Sequence, residues 1–540
     1  PIREIRTIEP IKSWPIGKET WVFDLGENIS GWVRLRFHEP AGKVLRVRCT
    51  EMCNPETDQL INSPLSFWWC HGEPQAYSLI CDGKARTWQP KFSYFGFRYV
   101  EVSGLSQAPQ SDDCLGVVVN TDVAQTATFA SSDPLLNRMF RMGVQTHFNN
   151  MHSILEDCPH REKCMWGGDL HASWSVGFHA LDSTAFYRNV VDLYYTPPFS
   201  KSGVPGNVGV GKRLATHFSD FTWAVSPLFL TYRLYELDGE LDTARKHYDK
   251  MKWFLATFEK QAPDYIPQQA AHGDHAEPTD IERFPQDKHL IAAMNFFAAA
   301  RRFAILADAL DKPDDARWAR DLAGRIQQSV IEQFYDKQKH SFGNGTHDSL
   351  ALAFELVDAT EEPKLAASLA GHYRRNGKQF DGGFMSYFIY PALAEWGQVD
   401  LALEMLRSAD YPGLAWSIKH YDATAVWERF PLDKFTRERN SHNHHAMNHP
   451  SGWMLTHLAG IQAKHGDIVL KPQIPTDLDW VEASVRTHAG TVKSTWRKEN
   501  GKVIWTFVIP ANNRAKVVFP EGWGQSNRML PSGSYTYTSN

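Results

Sequence analysis

The chain of 540 residues carries 57 basic and 62 acidic side chains, a formal net charge of −5, with 42% hydrophobic and 13% aromatic content. Charges of both signs are interspersed without long runs, so nothing asks for nucleic acid or an anionic membrane surface as a partner. No apolar run approaches the ~20 residues of a membrane span, and the size predicts two to four domains of roughly 150 residues with large buried cores.

The chain begins at Pro1, which leaves a removed targeting segment open; cytoplasm and periplasm are the expected compartments. Seven cysteines (Cys49, Cys53, Cys70, Cys81, Cys114, Cys158, Cys164) lie in the first third. Their odd count and irregular spacing argue against a disulfide framework. Cys158, His160 and Cys164 match no common zinc spacing, and neither do His442, His444, His445 and His449, so no metal and no cofactor is expected.

From Trp21 to about Leu115 the sequence reads as strands. Val33-Arg34-Leu35-Arg36-Phe37 and Leu45-Arg46-Val47-Arg48 alternate apolar and charged residues with period two, and Phe97 to Val102 does much the same. Gly26, Gly31, Gly42, Pro55 and Gly83 punctuate these runs, which predicts an antiparallel β-sandwich over residues 1–125. Trp68 and Trp69 suit a sugar-binding platform or, better, packing between domains.

Leu155 to Ser173, LEDCPHREKCMWGGDLHAS, breaks the pattern. It is too polar and too interrupted for core. Pro159 disfavours helix at Cys158, and Gly167 with Gly168 weakens any helix through them, so the stretch reads as a shaped loop. Asp157, Glu162 and Asp169 beside Trp166 suit glycosidic-bond cleavage, where one carboxyl must hold a proton and an aromatic face must meet the sugar. A solvated charged loop is the bland alternative.

Helical spacing dominates for over three hundred residues after Asp122, assigning 126–465 to a helical domain. Leu241, Ala244, Tyr248, Met251 and Leu255 form one stripe, Leu290, Met294, Phe297, Ala300 and Ala304 a second, and Trp318, Leu322, Ile326 and Val330 a third. Asp238-Gly239 and Asp311-Lys312-Pro313 read as turns between paired helices. Such hairpins form a toroid or a solenoid, and the lack of a fixed-period repeat disfavours the solenoid. Within this region lies Asp422-Ala423-Thr424-Ala425-Val426-Trp427-Glu428-Arg429, followed by Ser441-His442-Asn443-His444-His445. A carboxylate held by arginine stays ionised at neutral pH, as a general base must; a surface Glu–Arg pair is the plainer reading. Strands return from Asp467, assigning 466–540 to a C-terminal β-domain, with Asn500-Gly501 as a tight type I′ turn and Val503–Val508 and Ala515–Phe519 as strands.

The run DCPHREKCMWGGD resembles the signature of the inverting α-L-rhamnosidases: Asp-Cys-Pro-x-Arg-Glu or Asp, then Trp, then Gly-Asp. DATAVWERF followed by SHNHHA resembles the second motif of the same family. DLGENISGWVRLRF and YFGFRYVEVSG resemble its N-terminal β-domain, and Asp410-Tyr411-Pro412 precedes the second motif as expected. The resemblance implies an (α/α)₆ barrel flanked by β-sandwiches, a carbohydrate substrate, Glu162 as general acid and Glu428 as general base. It also implies that Asp157, Trp166 and Asp169 shape the sugar subsite, with His444 near it and Arg161 orienting the acid loop. Trp223, Trp427, Asp274 and His275 complete the expected substrate-binding set.

The chemistry is compatible with these roles. Like-charge repulsion from Asp157 and Asp169 favours a proton on Glu162, while Arg161 and Lys163 oppose it. The methyl group of a 6-deoxy sugar wants an apolar wall, which Trp166 and Trp427 can supply. Gly273-Asp274-His275 stands where the family usually has Gly-Asp-Trp, Met165 replaces a glycine, and Gly452 replaces a common glutamate. These departures bear on the glycone more than on the reaction. A same-barrel glycosidase for another or modified sugar, and a non-catalytic carbohydrate-binding relative, are the alternatives; the presence of both Glu162 and Glu428 counts against the last.

Overall fold

The computed structural model describes the chain apart from residues 55–56, 62–74, 197–204, 210–219, 271–272, 274–286, 377–383, 431–439 and 466. Its contacts divide the chain into two compact units. The first joins Pro1–Asp122, Met142–Cys164 and Ile418–His445; the second joins Val123–Arg141, Met165–Ser417 and Ala446–Asn540.

In the first unit, eight strands among the described residues form one antiparallel sheet centred on Thr20–Phe37. The period-two reading holds there. Val33 and Leu35 are fully buried, while Arg34 pairs outward with Glu4 and Arg36 with Asp112 and Asp113. Phe23, Val33, Leu45, Val47, Phe97 and Val100 belong to one apolar core, each contributing roughly 1.5–3 kcal/mol by leaving water.

The second unit carries the helical hairpins and the C-terminal sheet. Helices Asp242–Gln261, Lys288–Ala309 and Pro313–Phe334 follow the three predicted stripes. Gly239 stops the preceding helix in the left-handed conformation at φ 71°, and Pro313 opens its helix at a position that needs no N–H. Asp287 caps Lys288–Ala309 by accepting the His289 and Leu290 amides. Contrary to the expectation from apolar runs, this helix is long and apolar enough to cross a membrane. Alanines and aromatics clothe it all round because most of it is buried inside the protein.

Seven strands form the C-terminal sheet among the described residues. Asn500 (φ 51°) and Gly501 (φ 76°) both adopt the positive φ that a type I′ turn requires, and the flanking residues Glu499 and Lys502 pair. Pairing already starts at Ile461–Lys464, ahead of the predicted Asp467. Ala127–Ser131 also joins this sheet, beside Trp480–Thr487. Five residues next to a helix carry too little alternation to announce a strand whose partner lies over 350 positions away.

Candidate active site

The segment from Asp157 to Cys164 is a closed loop in the first unit. Asp157 and Cys164 pair through the Asp157 amide and Cys164 carbonyl at 2.9 Å, and Asp157 Oδ1 accepts the Cys164 amide at 2.9 Å. The Cys158 thiol donates to Asp157 Oδ2 at 2.8 Å. Both oxygens of Asp157 therefore shape their own loop. Lys163 takes a left-handed turn (φ 53°) and sends its ammonium to the Tyr94 carbonyl at 2.6 Å, over the Tyr94 ring. This direction, set by the N-terminal sheet, was hidden from the sequence. Gly96 on that sheet is a requirement of close approach: a Cβ there would lie 2.7 Å from Pro159 Cγ.

The loop is also less solvated than its polarity suggested. Leu155 to His160 are buried, because residues from elsewhere in the first unit supply polar partners. Tyr94 donates to Glu156 at 2.7 Å, His152 Nδ1 pairs with Glu156 at 2.7 Å, and His445 Nε2 meets the Glu156 carbonyl at 2.8 Å.

The second motif packs within the same unit. Val426–Glu428 runs beside Ser441–His444, with the Glu428 amide to the Ser441 carbonyl at 2.9 Å and the His444 amide to the Val426 carbonyl at 2.8 Å. Thr146 Oγ1 accepts the Val426 amide at 2.9 Å, anchoring the segment. His442 stacks on Trp427 at 3.8 Å between ring centroids, covering one face of that indole.

One guanidinium joins the two motifs. Arg161 Nη2 donates to Glu428 Oε2 at 2.5 Å, and its Nε lies 3.3 Å from Glu162 Oε1. Ser441 N–H also donates to Glu428 Oε2, at 2.9 Å. Both bonds land on the same oxygen; among the described residues, Oε1 accepts none. Burial pushes the Glu428 carboxyl up, but Arg161, His444, the Ser441 amide and Arg429 outweigh it and hold it at about 2. His444 is itself pushed down to about 4 by burial, so near neutrality it is uncharged and Arg161, with the Ser441 N–H and Arg429, carries the stabilisation of the anion.

Trp166, Asp169 and Trp223 belong to the second unit, where the two tryptophans pack together. Trp166 meets Trp223 edge to face at 5.3 Å, and Trp223 Nε1 points at the Gly273 carbonyl at 3.4 Å. Asp169 is buried in the first turn of Gly167–Ala180. The expected loop thus ends at Trp166 and becomes helix at Gly167, against the reading that the paired glycines oppose one. They sit where Trp223 leaves no room for a side chain. A Cβ on Gly167 would lie 2.1 Å from the Trp223 carbonyl, and one on Gly168 2.6 Å from the Trp223 ring. Gly168→Ala is accordingly expected to cost about 1–3 kcal/mol through overpacking, read from the denaturant midpoint. An unchanged midpoint would show that the Trp223 ring yields freely.

Asp274, His275, Trp68 and Trp69 lie outside the described residues. Sequence reasoning missed Glu51 and Asn28, which bond the backbone of the second motif. A signal for Glu51 existed: it continues the inward-facing set Leu45, Val47, Cys49, putting a carboxyl where an apolar residue was due.

Comparison with known proteins gives a consistent result. The family model for the bacterial alpha-L-rhamnosidase 6 hairpin glycosidase domain matches residues 124–458, that for the concanavalin-like domain 15–120, and that for the C-terminal domain 460–529. An alpha-L-rhamnosidase of Formosa agariphila is 26% identical over 96% of this chain and 57% of its own length; one of Streptomyces avermitilis is 26% identical over 96% and 50%. The chain thus spans about half the length of these relatives. The solved alpha-L-rhamnosidase from Dictyoglumus thermophilum superposes with a TM-score of 0.92 at 25% identity, covering 100% of this chain and 64% of that one. The Streptomyces avermitilis enzyme complexed with L-rhamnose superposes with a TM-score of 0.91 at 24% identity, covering 100% and 54%.

Proposed function

Since the chain belongs to the bacterial alpha-L-rhamnosidase family, we propose that it is an inverting exo-glycoside hydrolase that releases terminal α-L-rhamnose from oligosaccharides or glycosides. Glu162 is the general acid and Glu428 the general base. The observation that carries this reading is the asymmetric grip on Glu428: Arg161 and Ser441 N–H hold Oε2, and Oε1 takes no bond among the described residues.

An ionised carboxylate with one oxygen fixed and the other open can orient a water and take its proton as that water attacks the anomeric carbon. Glu162 gives its proton to the departing glycosidic oxygen. Arg161 contacts both side chains, Glu162 through Nε and Glu428 through Nη2, and inversion asks that the two carboxyls stand roughly 6.5–9.5 Å apart. Trp166, Asp169 and Trp223, all of the second unit, are proposed sugar contacts, and Asp157, Trp427, His444, Asp274 and His275 complete the set.

A panel of p-nitrophenyl glycosides tests the assignment. The α-L-rhamnoside is expected to have the highest kcat/KM. Preference for a different glycone would make this a same-fold glycosidase for another sugar, and no turnover of any glycoside would leave a binding relative.

A further inference from the structure

Glu51 has no part in the mechanism above, yet its side chain is 1% exposed and reaches the peptide that serves the base. Its Oε2 accepts the His442 amide at 2.9 Å and its Oε1 accepts from Asn28 Nδ2 at a longer 3.3 Å. Asn28 Nδ2 also donates to the His442 carbonyl at 3.1 Å, so both ends of residue 442 are tied. One residue back, the Ser441 amide donates to Glu428. Two buried carboxyls therefore hold adjacent amides of one backbone turn, Glu428 the first and Glu51 the second.

Arg161 already contacts Glu162 and Glu428, and among the described residues no lysine or arginine forms an ion pair with Glu51, so a second buried anion here is disfavoured. His160 Nε2 stands 3.7 Å from Glu51 Oε2, beyond hydrogen-bond reach. Resting on the hydrolase reading, we propose that Glu51 is a positioning residue for the base: a neutral carboxylic acid that fixes the Ser441–His442 peptide and leaves Arg161 to Glu428 and Glu162.

The electrostatics agree. Burial pushes Glu51 up to about 8, with the Glu428 charge adding and the His442 amide, Asn28 and Arg161 opposing. Of the titratable groups around it, Cys53 is raised to about 11 and Tyr99 above its usual range, both chiefly by burial, so both stay protonated through that pH. Burial pushes His160 well below its usual value and His442 down to about 3, so both are neutral. Glu51 lines a cavity of about 320 Å³ with Arg98, Lys419, His420, Asp422 and Trp427, an outlet through which its proton can exchange. As pH rises through about 8, the proton leaves and a second negative charge appears beside Glu428.

Three variants and two readouts test this. Glu51→Gln keeps an acceptor for the His442 amide and has no proton to lose. It should retain most of the wild-type kcat near neutrality and lose less of it than the wild type as pH rises through about 8. Glu51→Ala should lower kcat by about 10- to 100-fold with KM little changed, as displaced catalytic groups do. Glu51→Asp, too short to reach the peptide, should behave like alanine. Infrared difference spectra between about pH 6 and about pH 10 give a readout that needs no substrate: the wild type should lose one neutral-carboxyl band that Glu51→Gln does not, beside any loss from Glu162 that the two share. Wild-type kcat in Glu51→Ala, equal damage in Glu51→Gln and Glu51→Ala, or identical infrared changes in wild type and Glu51→Gln would each overturn the proposal. If the wild type cleaves no glycoside, the hydrolase reading fails, while the infrared comparison still decides where the proton sits.

Discussion

Glu428→Gln and Glu162→Gln are each expected to lower kcat by at least ~100-fold while leaving the fold intact, the usual consequence of removing a general base or acid. At position 428 the loss has a local cause beyond the missing charge. Oε2 collects two donors, Arg161 Nη2 and Ser441 N–H, and a glutamine can offer only one acceptor oxygen. If that oxygen satisfies them, its NH₂ faces the water and cannot accept a proton. The acid variant should recover in part with an activated aryl leaving group, whose departure needs little protonation, whereas the base variant should not. Initial rates with p-nitrophenyl and alkyl α-L-rhamnosides, alongside thermal melts, check both. Near-wild-type turnover in either variant removes that residue from its role.

Arg161→Ala should be damaging in a second way. The Arg161 side chain is 3% exposed and contacts two acidic side chains that are 10% and 8% exposed. Removing the cation from such a buried arrangement typically costs about 3–5 kcal/mol, because the partner charge is left uncompensated. With burial then unopposed by its main cation, the Glu428 carboxyl must rise from about 2. A base is active only when deprotonated, so the acid limb of kcat/KM should move to higher pH in the variant. The stability that Glu428 contributes above the usual carboxylate range, lost in the wild type only as pH falls toward about 2, should disappear too. Arg161→Lys keeps the charge without the planar fork and should fall between. Denaturant midpoints across pH and a pH–rate profile read these effects; an unmoved acid limb in Arg161→Ala would show that Arg161 does not hold the charge on Glu428.

Much of the scaffold is readable from local pattern. Val33 and Leu35 against Arg34 and Arg36, the left-handed Gly239, Pro313 at a helix start and the Asn500-Gly501 turn each follow from a few neighbouring residues. The features that escaped depend on distant partners. Glu51 reads as a surface residue unless its strand phase is followed one step further. The loop from Leu155 looked too polar for burial because its partners, Tyr94, His152 and His445, come from elsewhere in the chain. The glycines before Asp169 looked like helix breakers because nothing nearby in sequence shows the Trp223 ring that occupies their missing side chains. Asp157 and Lys163 also serve the loop itself, Asp157 through the Cys158 thiol and Cys164 amide and Lys163 through the Tyr94 carbonyl, partners that adjacency in sequence does not show.

Whether Glu428 works through water or attacks carbon itself is the central question, and the anomer first released answers it. Proton NMR of an α-L-rhamnoside digest in its first minutes, before mutarotation mixes the products, should show the β-anomer of the free sugar accumulating first. An initial α-anomer would mean retention, a covalent glycosyl intermediate and carboxyls only about 5–5.5 Å apart, and the roles given to Glu162, Glu428 and the water between them could not stand.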